Sequence, residues 1–538
     1  MKIRSLVVAL GMTLSANAMA TPWFQPSLSL EVIGQHSTGV FDEGAAEIVA
    51  YDPRTQRIFK VNADAASVDV LDINDPTQPT LIGTIDAKML GKSANSVAVH
   101  KGIVAVAIEA DDKQAPGVVA FYNASDLSLI NSVSVGALPD MVTFTPNGRY
   151  ALVANEGEPN DDYTVDPEGS VSIIDLRFGV AQARVSTADF SAFVGKEDEL
   201  RAKGIRIFGP NASAAQDFEP EYITVSDNSR FAWVSLQENN ALAVIDVKRA
   251  KVIDLQPLGT KDYSVPGNEI DASNRDDAIN IRNWPVQSFY MPDSIASYQV
   301  RGKTYIVTAN EGDSRDYDGY SEEERVKDLL LDPAAFPNAA ELQENENLGR
   351  LLSTTANGDT DGDGDVDVIY GYGARSFSIR DAHGNLVFDS GSDFETITAA
   401  LLGDNFNSNN DENDSFDSRS DDKGPEPEGV ALGRIWGHTY AFIGLERVGG
   451  IMVYDITHPR HARYVTYINH RDFTVDAQLP DGSTNPMVGD LGPEGLAFVP
   501  AWQSPNRKPL LIVGNEVSGT TTIYQIDVSF PGWFGKLF

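Results

Sequence analysis

Two stretches of this chain are near copies: Gly424-Pro-Glu-Pro-Glu-Gly-Val-Ala-Leu432 and Leu491-Gly-Pro-Glu-Gly-Leu-Ala-Phe498. Pro139-Asp-Met-Val-Thr-Phe144, Pro220-Glu-Tyr-Ile-Thr-Val225 and Pro292-Asp-Ser-Ile-Ala296 are looser versions. Each sets a carboxylate in front of a short apolar strand. Seven repeats can be counted, each beginning near a polar residue, at Glu47, Asn95, Asp140, Glu221, Asp293, Glu428 and Glu494. After each start comes a turn, as at Pro146-Asn-Gly-Arg149. A second strand then ends in polar residues, as in Tyr150-Ala-Leu-Val-Ala-Asn-Glu156. A third alternates apolar residues, as in Ala241-Leu-Ala-Val-Ile-Asp246, and a fourth follows, as in Arg463-Tyr-Val-Thr-Tyr-Ile468. Four short β-branched strands per unit of about 45 residues is the pattern of a β-propeller, in which each unit buries its faces only against its neighbours.

The expected fold is therefore all-β, a seven-bladed propeller of the YVTN/WD40-like type with long loop insertions. The seventh repeat ends at Ile523-Tyr-Gln-Ile-Asp527 without a fourth strand of its own. Leu28-Ser-Leu-Glu-Val-Ile33 is placed to supply it and to close the ring, which removes the open sheet edges. This makes 21–538 one domain. Insertions are expected at 177–217, 316–370 and 404–423, and Ser321 to Leu331 within the second reads as helical.

Met1 to Ala20 reads as a signal peptide: Lys2 and Arg4, an apolar run, then Ala18-Met-Ala20 with cleavage after Ala20. No other apolar run is long enough to span a bilayer. The expected location is periplasmic or secreted, and a monomer is expected. Without cysteine the chain is neither an acylated lipoprotein nor a disulfide scaffold. Loss of Lys2 and Arg4 takes the net charge from −37 to −39. Such a balance repels nucleic acid and anionic membrane, and makes divalent cations the natural partners.

In a propeller the first strand of each blade lines the central channel. Carboxylates at strand starts and ends then converge: Glu156, Asp293, Glu311, Glu428, Glu446, Glu494 and Glu516 are candidate metal ligands, with Asp140, Glu221 and Glu238 beside them. They cannot all stay ionised together without cations, and hard oxygen ligands suit Ca²⁺, with another divalent metal as the alternative. The bland alternative is that each satisfies backbone donors of its own blade. A second metal signal is Asp359-Thr-Asp-Gly-Asp-Gly-Asp-Val-Asp367. Asp359, Asp361, Asp363 and Gly364 match positions 1, 3, 5 and 6 of an EF-hand loop. Tyr370 stands at position 12, so Asp367 is the candidate for the missing ligand, with Asp365 also in the loop. Calcium here would order the long insertion; the alternative is a solvated acidic loop.

Asn310-Glu-Gly-Asp-Ser-Arg315 and the polar run ending Arg419 to Lys423 put carboxylates beside cations. That is equipment for metal-assisted phosphoester hydrolysis. In this reading Glu311, Asp313, Glu428 and Glu494 hold metal, while Arg315, Arg419 and Lys423 take phosphate oxygens. The same residues equally make ordinary loop salt bridges. None of the seven histidines has zinc spacing, and no nucleophile elbow, P-loop or Rossmann fingerprint is present.

Ala154-Asn-Glu-Gly-Glu-Pro-Asn160, Tyr290-Met-Pro-Asp293, Ala309-Asn-Glu-Gly-Asp-Ser-Arg-Asp316, Asp359 to Asp365, Arg375-Ser-Phe-Ser378 and Asp417 to Gly429 carry a resemblance. The chain resembles the choice-of-anchor I family of secreted β-propellers, related to the mesenchyme-specific cell-surface glycoprotein type and often labelled alkaline-phosphatase-like. The resemblance implies a propeller outside the cytoplasm, with phosphatase activity associated with some relatives. Members often end in an anchoring tail. Gly532 to Phe538 does not resemble one, so no surface anchor is expected. Two functions stay open: a calcium-binding propeller that hydrolyses phosphate monoesters, or a non-enzymatic envelope or extracellular binding module with structural calcium.

Overall fold

The computed structural model describes residues 27–529. The expected signal peptide, residues 1–20, and the closing residues Gly532–Phe538 lie outside the described residues. Seven four-stranded antiparallel sheets form the body. Blade one is Val49–Asp52, Arg57–Asn62, Ser67–Asp72 and Thr80–Asp86; blade two runs from Ala94–His100 to Leu129–Ala137. Blade three joins Pro139–Phe144, Tyr150–Asn155, Ser170–Asp175 and Arg184–Asp189; blade four runs from Pro220–Val225 to Lys251–Pro257. Blade five takes Ile295–Val300, Lys303–Asn310, Ser376–Asp381 and Leu386–Asp389, and blade six runs from Pro427–Ile435 to Arg463–Ile468. Blade seven has Pro493–Val499, Leu510–Asn515 and Thr520–Ser529, and its fourth strand is Ser27–Ser37, paired Leu28↔Val528 through Ser37↔Thr520. The expected closure is therefore observed.

Burial explains the composition of each strand. Second and third strands, such as Tyr150–Asn155 and Ser170–Asp175, lie between neighbouring blades and are buried on both faces. They read as near-continuous apolar runs for that reason. Fourth strands, such as Thr80–Asp86, face solvent and turn polar. Each seam between blades has its own core. Val61 and Val70 of blade one pack with Val97 and Val106 of blade two. Leu152 of blade three packs with Val234 of blade four. Ile58 of blade one packs with Ile512 of blade seven, which closes the circle.

The first strands carry a local distortion that matters for function. Pairing with the second strand slips at Ala94/Ser96, Pro139/Met141, Pro220/Ile223, Pro427/Val430 and Pro493/Leu496. Proline has no N–H to give the ladder, so it is tolerated at a strand's first residue, and a bulge re-aims the side chain that follows. That side chain is Asn95, Asp140, Glu221, Glu428 or Glu494. The glycine of Pro-Glu-Gly has a separate reason. A Cβ on Gly429 would overlap the Glu494 carbonyl oxygen, and one on Gly495 would press on the Glu47 carbonyl oxygen. Adjacent first strands approach too closely there for any side chain.

Two expectations about insertions are corrected. Residues 177–217 are not all insertion, because Arg184–Asp189 is blade three's fourth strand, paired with Ser170–Asp175. Ser321 to Leu331 is not a helix: Glu323–Arg325 pairs with Leu352–Thr354, and a short 3-10 turn, Val326–Asp328, follows. Tertiary contacts override helix propensity here. Glu322 is buried against Arg206 and Thr354, and Arg325 reaches Asp421 at 3.0 Å. Residues 316–370 do interrupt blade five, between its second and third strands.

Candidate functional site

The re-aimed side chains meet at one end of the central channel. They line a cavity of about 290 Å³ together with Glu156, Glu238, Glu311 and Asp313, which follow the ends of second strands. Asp140, Glu221, Asp293, Glu428 and Glu494 all face it. Oxygens of Asp293, Glu311 and Glu428 lie within 4.8 Å of one another, close enough to share one cation. A second triple, Glu311, Glu426 and Glu446, meets the same limit and shares Glu311.

The electrostatics are those of carboxylates crowded out of water. Burial pushes Glu428 well above the ordinary Glu range, and Glu446, Glu494 and Glu311 push it further. Glu494 is raised by burial, then by Glu47 and Glu516. Asp293 is raised by burial and then by Glu311. Burial and Glu158 move Asp140 up to about 7, and burial moves Glu516 up to about 7. Glu156 and Glu446 are also raised, chiefly by burial. Buried polar atoms normally find partners. Here Oε2 of Glu221, Glu238, Glu428 and Glu494 are buried and have none among the described residues. Glu221 and Glu238 are more than nine-tenths buried. A hard divalent cation fits this donor set.

The cations expected to take phosphate are placed differently from one another. Lys423 Nζ lies 3.2 Å from Glu311, 3.9 Å from Asp313 and 3.2 Å from Glu426, at the edge of the carboxylate triple. Arg419 is spent on Glu426 and Asp422, both at 2.5 Å. Arg315 is buried under Phe208 and pairs with Asp217 at 2.8 Å and Glu219 at 3.1 Å. Of the three, only Lys423 adjoins the candidate ligands Glu311 and Asp313.

Sequence reading missed the hub of this region. Glu426, the first glutamate of Gly-Pro-Glu-Pro-Glu-Gly, is fully buried and holds Lys423, Arg419 and Arg447. Burial alone would raise it, but the three cations hold it below the usual carboxylate range. Its φ of 49° turns the chain so that Glu426 and Glu428 face different neighbours. Arg447, which follows Glu446 and pairs with it at 3.2 Å, was the available signal. The asparagines beside the strand-end carboxylates do not join the cavity. Asn155 donates to Ser170 and Ser172, Asn310 to Ser376 and Ser378, and Asn515 to Thr520. They tie second strands to third strands within one blade.

Away from the channel, Asp359, Asp361 and Asp367 bring their oxygens within 4.8 Å of one another. Asp363 and Asp365 are not part of that group. Gly362 and Gly364 N–H groups donate to Asp359, and positive φ at both glycines makes the loop. His458 and His461 are exposed in a turn.

The sequence profile of the Choice-of-anchor I domain matches residues 47–459. The chain belongs to the choice-of-anchor I family. Its matched span takes in blades one to five, the first three strands of blade six and all the re-aimed carboxylates except Glu494. The chain is 26% identical over 404 residues to the mesenchyme-specific cell surface glycoprotein of Strongylocentrotus purpuratus, covering 66% of this chain and 50% of that protein. It is 30% identical over 190 residues to Gigasin-3a of Magallana gigas, covering 34% of this chain and 66% of that protein. This choice-of-anchor I chain thus spans about half of the first relative's length and just under two thirds of the second's. Among solved structures it is similar to the WD40 domain of Toxoplasma gondii coronin, with TM-score 0.47, 10% identity and coverage of 95% and 89%. It is also similar to Kuenenia stuttgartiensis hydrazine synthase, with TM-score 0.45, 12% identity and coverage of 90% and 96%. Among the described residues no helix is long and apolar enough to cross a membrane.

Proposed function

We propose that this chain is an extracytoplasmic propeller that binds a divalent cation, calcium by the hardness of its ligands, on the axis between Asp293, Glu311 and Glu428. One observation carries this: buried carboxylate oxygens without partners, Glu221, Glu238, Glu428 and Glu494, converge on one cavity. A carboxylate meant only to satisfy its own blade would have a donor there. Secretion fits the leader-like sequence at Met1–Ala20 and the cell-surface description of the Strongylocentrotus relative. Asp359, Asp361 and Asp367 are proposed as a separate structural calcium site that orders the 316–370 insertion.

The test is calorimetric titration of calcium into chelator-treated protein, with Glu428→Gln and Asp293→Asn as variants. Loss of one binding equivalent in both variants, with unchanged circular dichroism, is the expected result. Equal binding by wild type and variants would overturn the axial site.

A second reading, hydrolysis of phosphate monoesters, rests on Lys423 standing beside the same triple. A bound divalent ion would supply Lewis-acid polarisation and an acidified water. Lys423 would hold a phosphate oxygen; Arg315 and Arg419 have carboxylate partners already and are not proposed for that role. Turnover of a generic phosphate monoester that vanishes in chelator and in Lys423→Met supports it. No turnover with calcium bound leaves the binding module.

A further inference from the structure

We propose that the face of the propeller opposite the carboxylate cavity docks on an anionic lipid surface. The topology defines this face. Cavity residues sit at the starts of first strands and just past the ends of second strands, so first-to-second and third-to-fourth turns all lie at the other end. Neighbouring turns there touch: Tyr51 of blade one donates to Gln503 O of blade seven at 3.0 Å, Arg54 to Lys101 O at 2.6 Å, and Asn147 N to Ser229 Oγ at 3.1 Å.

The charge on this face is the reverse of the chain's. The first-to-second turns carry Arg54, Lys101, Arg149, Arg230, Arg301, Arg507 and Lys508 against Asp227 alone. The third-to-fourth turns add Arg177, Lys248, Arg249 and Arg460 against Asp75 and Asp126. All eleven cations are exposed. Lys101, Arg149, Lys248, Arg301, Arg460 and Arg507 form no ion pair among the described residues. Acids at the ends of third strands do border the face. Asp72, Asp175, Asp246, Asp381 and Asp455 accept backbone N–H groups of their own turns. Strands of six residues separate the two faces by about 20 Å, more than twice the ~8 Å screening length at physiological salt. A surface at this face therefore meets the cations, not the chain's net charge.

Charge alone would fit any polyanion. The aromatic residues favour a bilayer. Trp436, Trp502 and Phe178 occupy turns on this face and are 77%, 81% and 69% exposed. Trp436 and Trp502 belong to adjacent blades. Large exposed rings at separate turns, interleaved with Arg and Lys, match the requirements of the headgroup interface, where rings sit among lipid chains and cations among phosphates. The described chain also begins and ends here, since Ser27 pairs with Ser529 at this end of blade seven.

The experiment is co-sedimentation of the chain from Thr21 to Phe538 with vesicles. One set is equal parts phosphatidylglycerol and phosphatidylcholine; the other is phosphatidylcholine alone. Binding to the first set only, weakening with added salt, is expected. Arg301→Glu with Arg460→Glu should weaken it, at roughly fivefold per cation near the surface. Trp436→Ser with Trp502→Ser should weaken it at least tenfold, with unchanged melting temperature as the folding control. Absence of binding to anionic vesicles at low salt overturns the proposal. So does binding that the double tryptophan variant leaves intact while soluble dextran sulfate competes fully, because that result assigns the face to a soluble polyanion.

Discussion

Crowded axial carboxylates should make the metal-free protein lose stability as the pH rises from 5 to 8. A Glu raised in the folded state binds its proton more tightly there than in the unfolded chain. Its contribution is complete below the ordinary value of 4.5 and is lost as pH climbs through the folded value. Burial moves Glu238 up to about 7, and burial with Glu516 and Asp140 moves Glu47 up to about 8. At about 1.4 kcal/mol per pKa unit, Glu238 alone corresponds to about 3 kcal/mol. Protonating one group relieves its neighbours, so the costs do not add, and a loss of a few kcal/mol is the working figure. Calcium at a hundred times its dissociation constant returns about 2.7 kcal/mol, which is comparable. The assay is urea unfolding at pH 5 and pH 8, in chelator and in calcium. Stability in chelator should fall between the two, and calcium should largely remove the fall. Glu428→Gln should behave in opposite senses in the two buffers: more stable than wild type in chelator at pH 8, and less responsive to calcium. A chelated wild type equally stable at both pH values would refute the reasoning.

Three further outcomes follow from single contacts. Glu426→Gln strands Lys423, Arg419 and Arg447 without their shared carboxylate and should cost about 3–5 kcal/mol in urea unfolding. Because Glu426 is held low, its stabilisation is present above pH 4.5 and disappears as pH falls below it. Gly429→Ala should cost more than about 1–3 kcal/mol, since the blocking atom is backbone of the next blade, whereas Gly437→Ala meets nothing within 4 Å and should cost only the strain of its positive φ, about 1–2 kcal/mol. Asp359→Asn with Asp367→Asn should remove one calcium equivalent in calorimetry and speed proteolysis within 316–370, while the axial equivalent stays.

The seven strand starts were legible because a propeller repeats one physical problem. A first strand that begins with a residue needing no ladder N–H and then aims a side chain at the axis reads as Pro followed by Asp or Glu, as at Asp140, Glu221, Asp293, Glu428 and Glu494, while Glu47 and Asn95 follow alanine. Closure by Leu28–Ile33 was legible because the last repeat lacked a strand. Insertions obey no repeat, and there the reading failed. Glu323–Arg325 took a strand partner 29 residues away, and Arg184–Asp189 was too polar to be told from loop, since fourth strands face water. Arg315 looked like an anion binder because sequence shows only a cation's neighbours along the chain, whereas Arg419's partners, Asp422 and Glu426, lie close by in sequence. Asp217 and Glu219 come from another blade's approach, nearly a hundred residues away.

Net charge misled in a more general way. A value of −37 suggests a uniformly acidic particle. In a propeller the two ends of every blade are built from different turns, so the two faces can be written independently in one sequence. The turns near the cavity hold the long acidic insertions and the carboxylates that need a cation. The short turns at the other end need only a left-handed residue or a glycine, as at Lys101-Gly102, Arg301-Gly302 and Trp436-Gly437, where Lys101, Arg301 and Trp436 have φ near 50°. Six of these seven turns carry a cation, and Lys101 and Arg301 form no ion pair among the described residues, which makes their composition informative about what the face meets.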